Sequence, residues 1–506
     1  MTRPQTTLFW FRRDLRLGDN PALCEAVARA REDGGDLLPV FVWEPRERRR
    51  WAPGAAARWW LWRSLAALAG ELGRRGSRLA LGLGEPAVAL TELARAANAG
   101  TVVWAAGLEP DELADDEAVA EALAGAGVEA VVVPSANLLF DPAAIRTRQG
   151  RAYTVFTPYW RACLSRPGPS APAAPPEALP AAPTASAGIA LEQLEAQTHK
   201  AWAAGFAEAW QPGEAGAHLG LVRLLHGPLA AYAEERDRPD LAGGSRLSPH
   251  LHWGELSPRQ VWQAVAGELA EAGLDLEAAV GPLPRGDEQA PGLRLSAGAF
   301  LRQLGWREFG HHLLRHFPLT PERPLHERFA VFPWRDDPAA LDAWRRGRTG
   351  YPFVDAGMRE LWASGWMHNR ARLVAASFLV KHLLLPWRSG EDWFWNTLVD
   401  ADLANNALGW QWVAGCGADA APYFRIFNPV TQGRRHDPDG AYVRRWIPEI
   451  AGLPLAHVHA PWLAPADVLA AAGVTLGETY PAPLVDHGEA RSRALAAYDV
   501  VRSAPR

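Results

Sequence analysis

TLFWFR, residues 7 to 12, and LGDNPAL, residues 17 to 23, set the fold of the first part of the chain. The first run is short, apolar and aromatic, and it reads as a buried strand. In the second, Asp19 or Asn20 can cap a helix that has Pro21 at its first position. A short polar side chain satisfies an N–H that the helix leaves unpaired, and Pro has no N–H to satisfy. The pattern repeats outward from there. LLPVFVW (37–43), RLALGL (78–83), TVVWAA (101–106) and VEAVVV (128–133) read as further strands. Helical stretches lie between them, among them ARWWLWRSLAALAGELGRRG (57–76) and PDELADDEAVAEALAGAG (110–127). Short apolar strands alternating with helices predict a doubly wound, parallel-sheet α/β domain. No GxGxxG follows the first strand, so the residues do not support a dinucleotide at that position.

RPGPSAPAAPPEALPAAPTASAG (166–188) is Pro-, Ala- and Ser-rich, a composition that cannot form a packed core and reads as a linker. After about residue 195 the strand pattern ends and long segments of helical period take over, including LRQLGWREFGHHLLRHF (301–317) and MHNRARLVAASFLVKHLLL (367–385). A largely all-α second domain is expected. The boundaries follow as an α/β domain over 1–137, a connector over 138–213 and a helical domain over 214–506, with a Gly/Pro-rich acidic insertion at 275–297 on its surface.

The length of 506 residues allows more than one core, and 48% hydrophobic with 22% charged residues is the balance of a soluble globular protein. No apolar run is long enough to span a bilayer, and MTRPQTTLFWFRR carries no apolar signal region, so a cytoplasmic protein without membrane contact is expected. Cys24, Cys163 and Cys416 lie too far apart for a disulfide framework or a zinc pattern, and no metal is expected. Net charge of −5 excludes a generally basic nucleic-acid binder, so any basic surface must be local. The 24 Trp against 8 Tyr stand out, because core packing does not explain clusters such as WFWNT and GWQW.

Three helical stretches place polar groups inward. Gln303, Trp306 and Arg307 fall at i, i+3 and i+4; Asn369, Arg372 and Leu373 share a face; Asn406 and Trp410 are four apart. An amphipathic edge accounts for part of this, but inward Gln, Asn and Arg demand polar partners inside. In GGSRLSPHLHWGELSPRQVW (243–262), Ser245 and Ser248 flank Arg246 before Pro249. Hydroxyls, backbone N–H groups and an Arg at a helix start suit a pyrophosphate, and they equally suit an ordinary cap box.

Taken in order, FWFRRDLRLGDNPAL, SRLSPHLHWGELSPRQ, LGWREFGHHLL, RTGYPFVDAGMRELWASGWMHNR and DADLANNALGWQWVAGCGADAAPYFRIFNP resemble the signatures of the photolyase/cryptochrome family, across nearly the whole chain. The resemblance implies an antenna domain followed by a helical domain that holds FAD in a folded, U-shaped form. It also implies light-driven electron transfer to a cyclobutane pyrimidine dimer in damaged DNA by a monomeric lyase. By resemblance, Tyr232, Ser245, Arg246, Leu247 and Ser248 hold the FAD phosphates and ribityl chain, and Arg307, Asn369 and Arg372 line the flavin cavity. One of Asp400 and Asp402 pairs with Arg372 and the other meets the flavin ring or ribose. Asn406 sits at flavin N5. Trp410, Trp387 and Trp334 match the family's electron relay. Trp306 and Trp412 match the walls that hold a flipped-out dimer, with Gln303 and Asn369 beside it. Arg236 and Arg370 match positions near DNA phosphates.

Two positions depart from the pattern. Gln303 stands where well-studied cyclobutane-dimer photolyases have Glu, and Leu373 where they have Met. Gln offers both a donor and an acceptor to a thymine edge, so repair is compatible with it. The (6-4) photolyases also carry Gln there, but they need two histidines at positions that are Asn369 and Leu373 here. RRWAPGAAARWWLWRSLAALAGEL, VDAGMRELWASGWMHNR and WFWNTLVDADL resemble class III photolyases and plant cryptochromes, which implies methenyltetrahydrofolate as antenna, with a deazaflavin or second flavin as alternatives. A cryptochrome-like blue-light receptor would be marked by a long low-complexity tail; the chain instead stops soon after RSRALAAYDVVRSAPR. An electron-transfer flavoprotein with no DNA role would need no aromatic cavity walls.

Overall fold

The computed structural model describes residues 5–45, 49–183, 189, 191, 194, 201–281, 292–419 and 425–503. The first domain is built as β1 (Thr6–Phe11), α1 (Pro21–Glu32), β2 (Leu37–Trp43), α2 (Ala55–Arg74), β3 (Ala80–Leu83), α3 (Pro86–Ala97), β4 (Ala99–Ala105), α4 (Pro110–Gly125) and β5 (Glu129–Val133). All strand pairs are parallel, in the order β3-β2-β1-β4-β5, with Trp10 opposite Val40 and Trp104. Side chains alternate across a strand. Phe9 and Phe11 therefore pack with Phe41, Trp43 and α2, while Leu8 and Trp10 pack with Val40, Trp104 and α3. The central strands are apolar throughout because helices cover both faces.

Strand order reverses between β1 and β4. Open α/β sheets bind ligands at such a switch point, outside the carboxyl ends of the strands. Arg12 and Arg13 lie immediately after β1, and Gly107 follows β4. The cap of α1 is Asn20, whose side chain accepts from the Leu23 N–H. Asp19 instead adopts a left-handed φ of 49° and turns its carboxylate to Arg259, Ser257 and the Ala173 N–H.

The Pro/Ala-rich stretch is no free linker. Through residue 183 it straps the first domain: Leu37 donates to the Ala181 carbonyl, Arg31 to Ala178 and Arg75 to Pro176, and Leu179 packs on the core. A proline-rich chain lacks many N–H donors, but its carbonyls remain good acceptors.

Among the described residues no strand follows β5. The helices that carry the argument are α5 (Phe156–Leu164), α6 (Ser248–His252), α7 (Pro258–Glu271), α8 (Leu293–His316), α9 (Pro352–Ser364), α10 (Asn369–Ser377), α11 (Trp387–Thr397) and α12 (Leu403–Ala414). Three expectations need correction. The helix expected at 301 starts at Leu293, so part of the supposed surface insertion is helix, with Ala297 buried; residues 282–291 of that insertion lie outside the described residues. The stretch 367–385 is not one α-helix: α10 passes into a π-helical turn over Phe378–His382, which sets the buried Lys381 Nζ 2.9 Å from the Ala414 carbonyl at the end of α12. Neither Ser245 nor Ser248 forms a cap box. That motif sits further on, at α7, where Ser257 accepts from the Gln260 N–H and the Gln260 side chain accepts from the Ser257 N–H.

Candidate active site

The segment between α11 and α12 carries two acids two residues apart, and the structure sends them different ways. Asp400, nearly buried, accepts from Arg372 Nη2 at 2.9 and 3.1 Å and from the Ser248 hydroxyl at 2.6 Å. Arg372 is held in place by its own Nε, which donates to the Met367 carbonyl at 2.7 Å. A buried ion pair is stable when extra hydrogen bonds satisfy its remaining atoms, as here. Asp402 caps α12, accepting from the Asn405 backbone at 2.9 Å. Its other oxygen faces His311 Nε2 at 3.3 Å and His252 Nδ1 at 3.4 Å. Burial alone would push the Asp402 carboxyl up, but His311 and His252 hold it well below the usual carboxylate range.

GGSRLS wraps past this pair. Arg246 adopts a left-handed φ of 53°, a strained backbone for a residue with a Cβ, of the kind found at ligand clamps. Its guanidinium lies over the rings of Trp210, at 4.2 Å, and Trp366, at 5.1 Å. It makes no ion pair among the described residues, so its charge is free for an anion. Trp366 in turn donates to the Ser248 hydroxyl at 3.4 Å. Leu247 is buried in the core, so only its backbone can serve a ligand. Tyr232 packs on Phe300, and burial pushes its phenol up to about 12.

Asn406, on the first turn of α12, donates its amide to the Glu391 backbone carbonyl at 3.2 Å. Its own carbonyl oxygen takes no hydrogen bond among the described residues. One turn later Trp410 is buried against Phe394 and Trp344. α11 approaches so closely that a methyl at Gly390 would overlap the Trp410 ring. Trp387, also buried, begins α11, and Trp334, half-buried, lies tilted against Phe332, with ring centroids 4.3 Å apart. Of the three tryptophans expected in the relay, Trp410 and Trp387 are thus buried and Trp334 is half-buried.

On α8, Trp306 lies flat on Phe156 of α5, centroids 3.9 Å apart and planes 8° apart. Phe156 in turn stacks toward Trp160, and that ring packs against Gly305. The Gln303 amide donates to the Ala299 carbonyl of its own helix at 3.2 Å, which leaves its oxygen as the free group. Arg307 turns away from this face and donates to the carbonyls of Asn137, at 2.6 Å, and Leu251, at 3.2 Å. It lines a small cavity with Arg13, His252, His311 and Asp402. Asn369 is exposed at the first position of α10, and Trp412 is half-buried beside the C-terminal core. Arg370 is paired with Asp237, and Arg236 lies 3.9 Å from the same carboxylate, so part of the expected basic rim is already neutralised.

Sequence reasoning missed Phe156, His252, His311, Trp366 and Glu391. His311 was reachable, since 303, 307 and 311 are successive positions of one helical stripe. Phe156 and Glu391 were not, because their roles come from contacts distant in sequence.

A larger cavity of about 820 Å³ opens at the sheet's switch point, between the two domains. Trp10, Trp43 and Trp51 line it with Arg12, Arg49 and Arg50. Most of its arginines are matched by nearby carboxylates. Arg13 binds Glu109 and Glu112, and Arg49 binds Glu44 and Asp115. Burial works against the Glu112 carboxylate, but Arg13 and Arg12 pull its pKa down to about 2.

Two family models match the chain: DNA photolyase over residues 7–181, and the FAD binding domain of DNA photolyase over residues 300–500. The deoxyribodipyrimidine photo-lyase of Agrobacterium fabrum is 46% identical over 98% of each chain. Cryptochrome-1 of Arabidopsis thaliana is 40% identical over 96% of this chain and 69% of its own length. The crystal structure of a bacterial class III photolyase from Agrobacterium tumefaciens superposes with a TM-score of 0.90 at 44% identity, covering 100% of this chain and 99% of that one.

Proposed function

The chain belongs to the DNA photolyase family, and on that premise we propose that it is a deoxyribodipyrimidine photo-lyase, an enzyme that repairs cyclobutane pyrimidine dimers in DNA with blue light. FAD, reduced and excited by light, supplies the electron that splits the dimer. The residues present fit such a group. Arg246, unpaired and clamped between two indoles, suits the pyrophosphate, with the hydroxyls of Ser245 and Ser248 and the backbone of Leu247 beside it. Tyr232 closes that side. The Arg372–Asp400 pair holds fixed dipoles against the ring system, and Asp402 with its two histidines orders the cavity from the antenna side.

One observation carries the reading. Asn406 is fixed by its amide to Glu391, so its carbonyl oxygen is a preset acceptor for a ring N–H. Trp410, one turn on, Trp387 and then Trp334 form the path that returns the cavity to its reduced state. Trp306 and Trp412 hold the extruded dimer, with the Gln303 oxygen and Asn369 at its polar edge. Arg236 and Arg370 contact DNA phosphates, exchanging Asp237 for them on binding. No proton donor is required at the dimer, so Gln303 serves where Glu stands in relatives.

The switch-point cavity is the antenna site in this reading. Its volume is that of a site for one small molecule, and three tryptophan rings suit a planar heteroaromatic. Methenyltetrahydrofolate has that chemistry, and the likeness to a class III photolyase supports this reading.

The test is repair. Photoreduced protein is mixed with an oligonucleotide carrying one thymine cyclobutane dimer, illuminated with blue light and compared with a dark control. Light-dependent recovery of thymine absorbance is expected. FAD-loaded, photoreducible protein without recovery would move it to the receptor reading or to (6-4) lesions. The released second chromophore, identified by its absorbance spectrum, tests the antenna; a deazaflavin or a second flavin would overturn the folate.

A further inference from the structure

Around the start of α11, three carboxylates meet two guanidinium groups. Arg50 of the first domain pairs with Asp392, and Arg388 pairs with Glu322 at 2.7 Å. The third carboxyl, Glu391, is left over. Its side chain is fully buried, and neither oxygen has a hydrogen-bond partner among the described residues. A buried unpartnered carboxylate is costly, so such a group stays protonated unless something compensates its charge. Its position is equally specific. The Glu391 backbone carbonyl receives the Asn406 amide, and the residue before it, Gly390, lies against the Trp410 ring. Glu391 thus stands next to both the polar contact and the electron donor assigned to the flavin.

We propose that Glu391 is a proton-holding residue of the flavin cavity: its neutral carboxyl releases a proton when an electron enters through Trp410, and takes one back from solvent afterwards. This rests on the FAD reading above. In the step the carboxyl O–H bond breaks, its proton passes to the flavin ring that has gained the electron, and Glu391 carries the remaining negative charge until solvent reprotonates it. The electron lost by the relay is replaced from an external thiol reductant. Burial, followed by the neighbouring Asp392 and Glu322, holds the Glu391 carboxyl well above its ordinary range, while Arg388 and Arg50 oppose this. Cys416, beyond α12, is the other titratable group that faces it, and Lys381 faces Cys416 from the π turn. A merely structural Glu391 would be replaceable by Gln without change in proton handling.

The test is a light-minus-dark infrared difference spectrum of the full-length, FAD-loaded protein, in water and in deuterium oxide, with a thiol as external donor. The wild type is expected to lose a protonated-carboxyl stretching band that shifts on deuteration. E391Q is expected to lack that band, while its visible-region photoreduction continues several-fold more slowly and without pH dependence. A band unchanged in E391Q, or no such band in the wild type, would overturn the proposal. Should E391Q fail to fold or to take FAD, wild type labelled with carbon-13 at glutamate carboxyls decides: an unshifted band overturns it. Wild type that takes up no flavin overturns the FAD reading itself, which is a separate outcome.

Discussion

The cavity at the sheet and the cavity among the helices use the same side chains in opposite ways. Both combine tryptophans with arginines and acids. At the sheet the charges are matched locally around two arginines, Arg13 with Glu109 and Glu112, Arg49 with Glu44 and Asp115. Among the helices Arg246 has no ion pair, His311 has neither ring nitrogen in a hydrogen bond and Glu391 is an orphan, all within the described residues. On the proposed reading the sheet cavity only holds a light absorber, and such a cavity gains by being electrostatically quiet. A cavity that must receive an electron keeps groups whose state can change. Unsatisfied buried groups are expensive, so they persist where function needs them.

The sharpest way to break this contrast is to remove one half of the matched pair inside the helical cavity. Asp400→Ala leaves Arg372 without its carboxylate and the Ser248 hydroxyl without its acceptor, and should cost about 3 kcal/mol or more, as breaking a buried ion pair does. Glu109→Ala at the sheet leaves Arg13 still bound to Glu112 and should cost clearly less. Urea denaturation of the two variants, with flavin content read alongside, checks this; equal losses would erase the distinction.

A smaller effect is expected from the glycines. Gly390→Ala drives a methyl into Trp410, an overpacking that typically costs about 1–3 kcal/mol. It should also slow photoreduction. In α4 a methyl at Gly125 meets nothing within 4 Å, so Gly125→Ala should be neutral or stabilise by up to about 1 kcal/mol. A thermal midpoint lowered in Gly390→Ala and unchanged or raised in Gly125→Ala checks the packing, and the photoreduction rate of Gly390→Ala checks its bearing on the relay.

The difference that is slightest at neutral pH should grow on acidification. Burial lowers His312, His368 and His436 to about 4, and His382 to about 3, so these helical-domain histidines stay neutral when folded. Their unfolded forms take up protons from about 6.5 downward, so helical-domain stability falls as pH drops from there toward 4. Glu308, raised to about 7 by burial, has the opposite sign and loses stability as pH rises from about 4.5 to 7. Glu112 at the sheet gives way only below about 4.5. Flavin release should therefore precede loss of sheet structure when circular dichroism is followed from pH 7 to acid.

The two halves also differed in how far they could be read. The sheet was legible because short continuous apolar runs and a helix start at Asp19 or Asn20 before Pro21 are local signals, and a parallel sheet follows from strands alternating with helices. The strap along it was hidden, since a Pro/Ala-rich stretch gives no sign of which N–H groups its carbonyls will accept. In the helical half, the Arg372–Asp400 pair could be expected from signature residues. The turning of Arg307 toward the connector and of Asp402 toward two histidines could not, because each depends on a segment more than 50 residues away. Nothing in the sequence singles out Glu391, an acid in a tryptophan-rich helix. Only the pairing of Arg50 and Arg388 with other acids reveals it as the one left over.

The account stands or falls on electron entry through α12. The measurement is blue-light reduction of bound flavin in wild type and in Trp410→Phe, at equal flavin content and with the same external thiol. The wild type should bleach under light and the variant, with FAD still bound, should not. Bleaching of Trp410→Phe at the wild-type rate would contradict it.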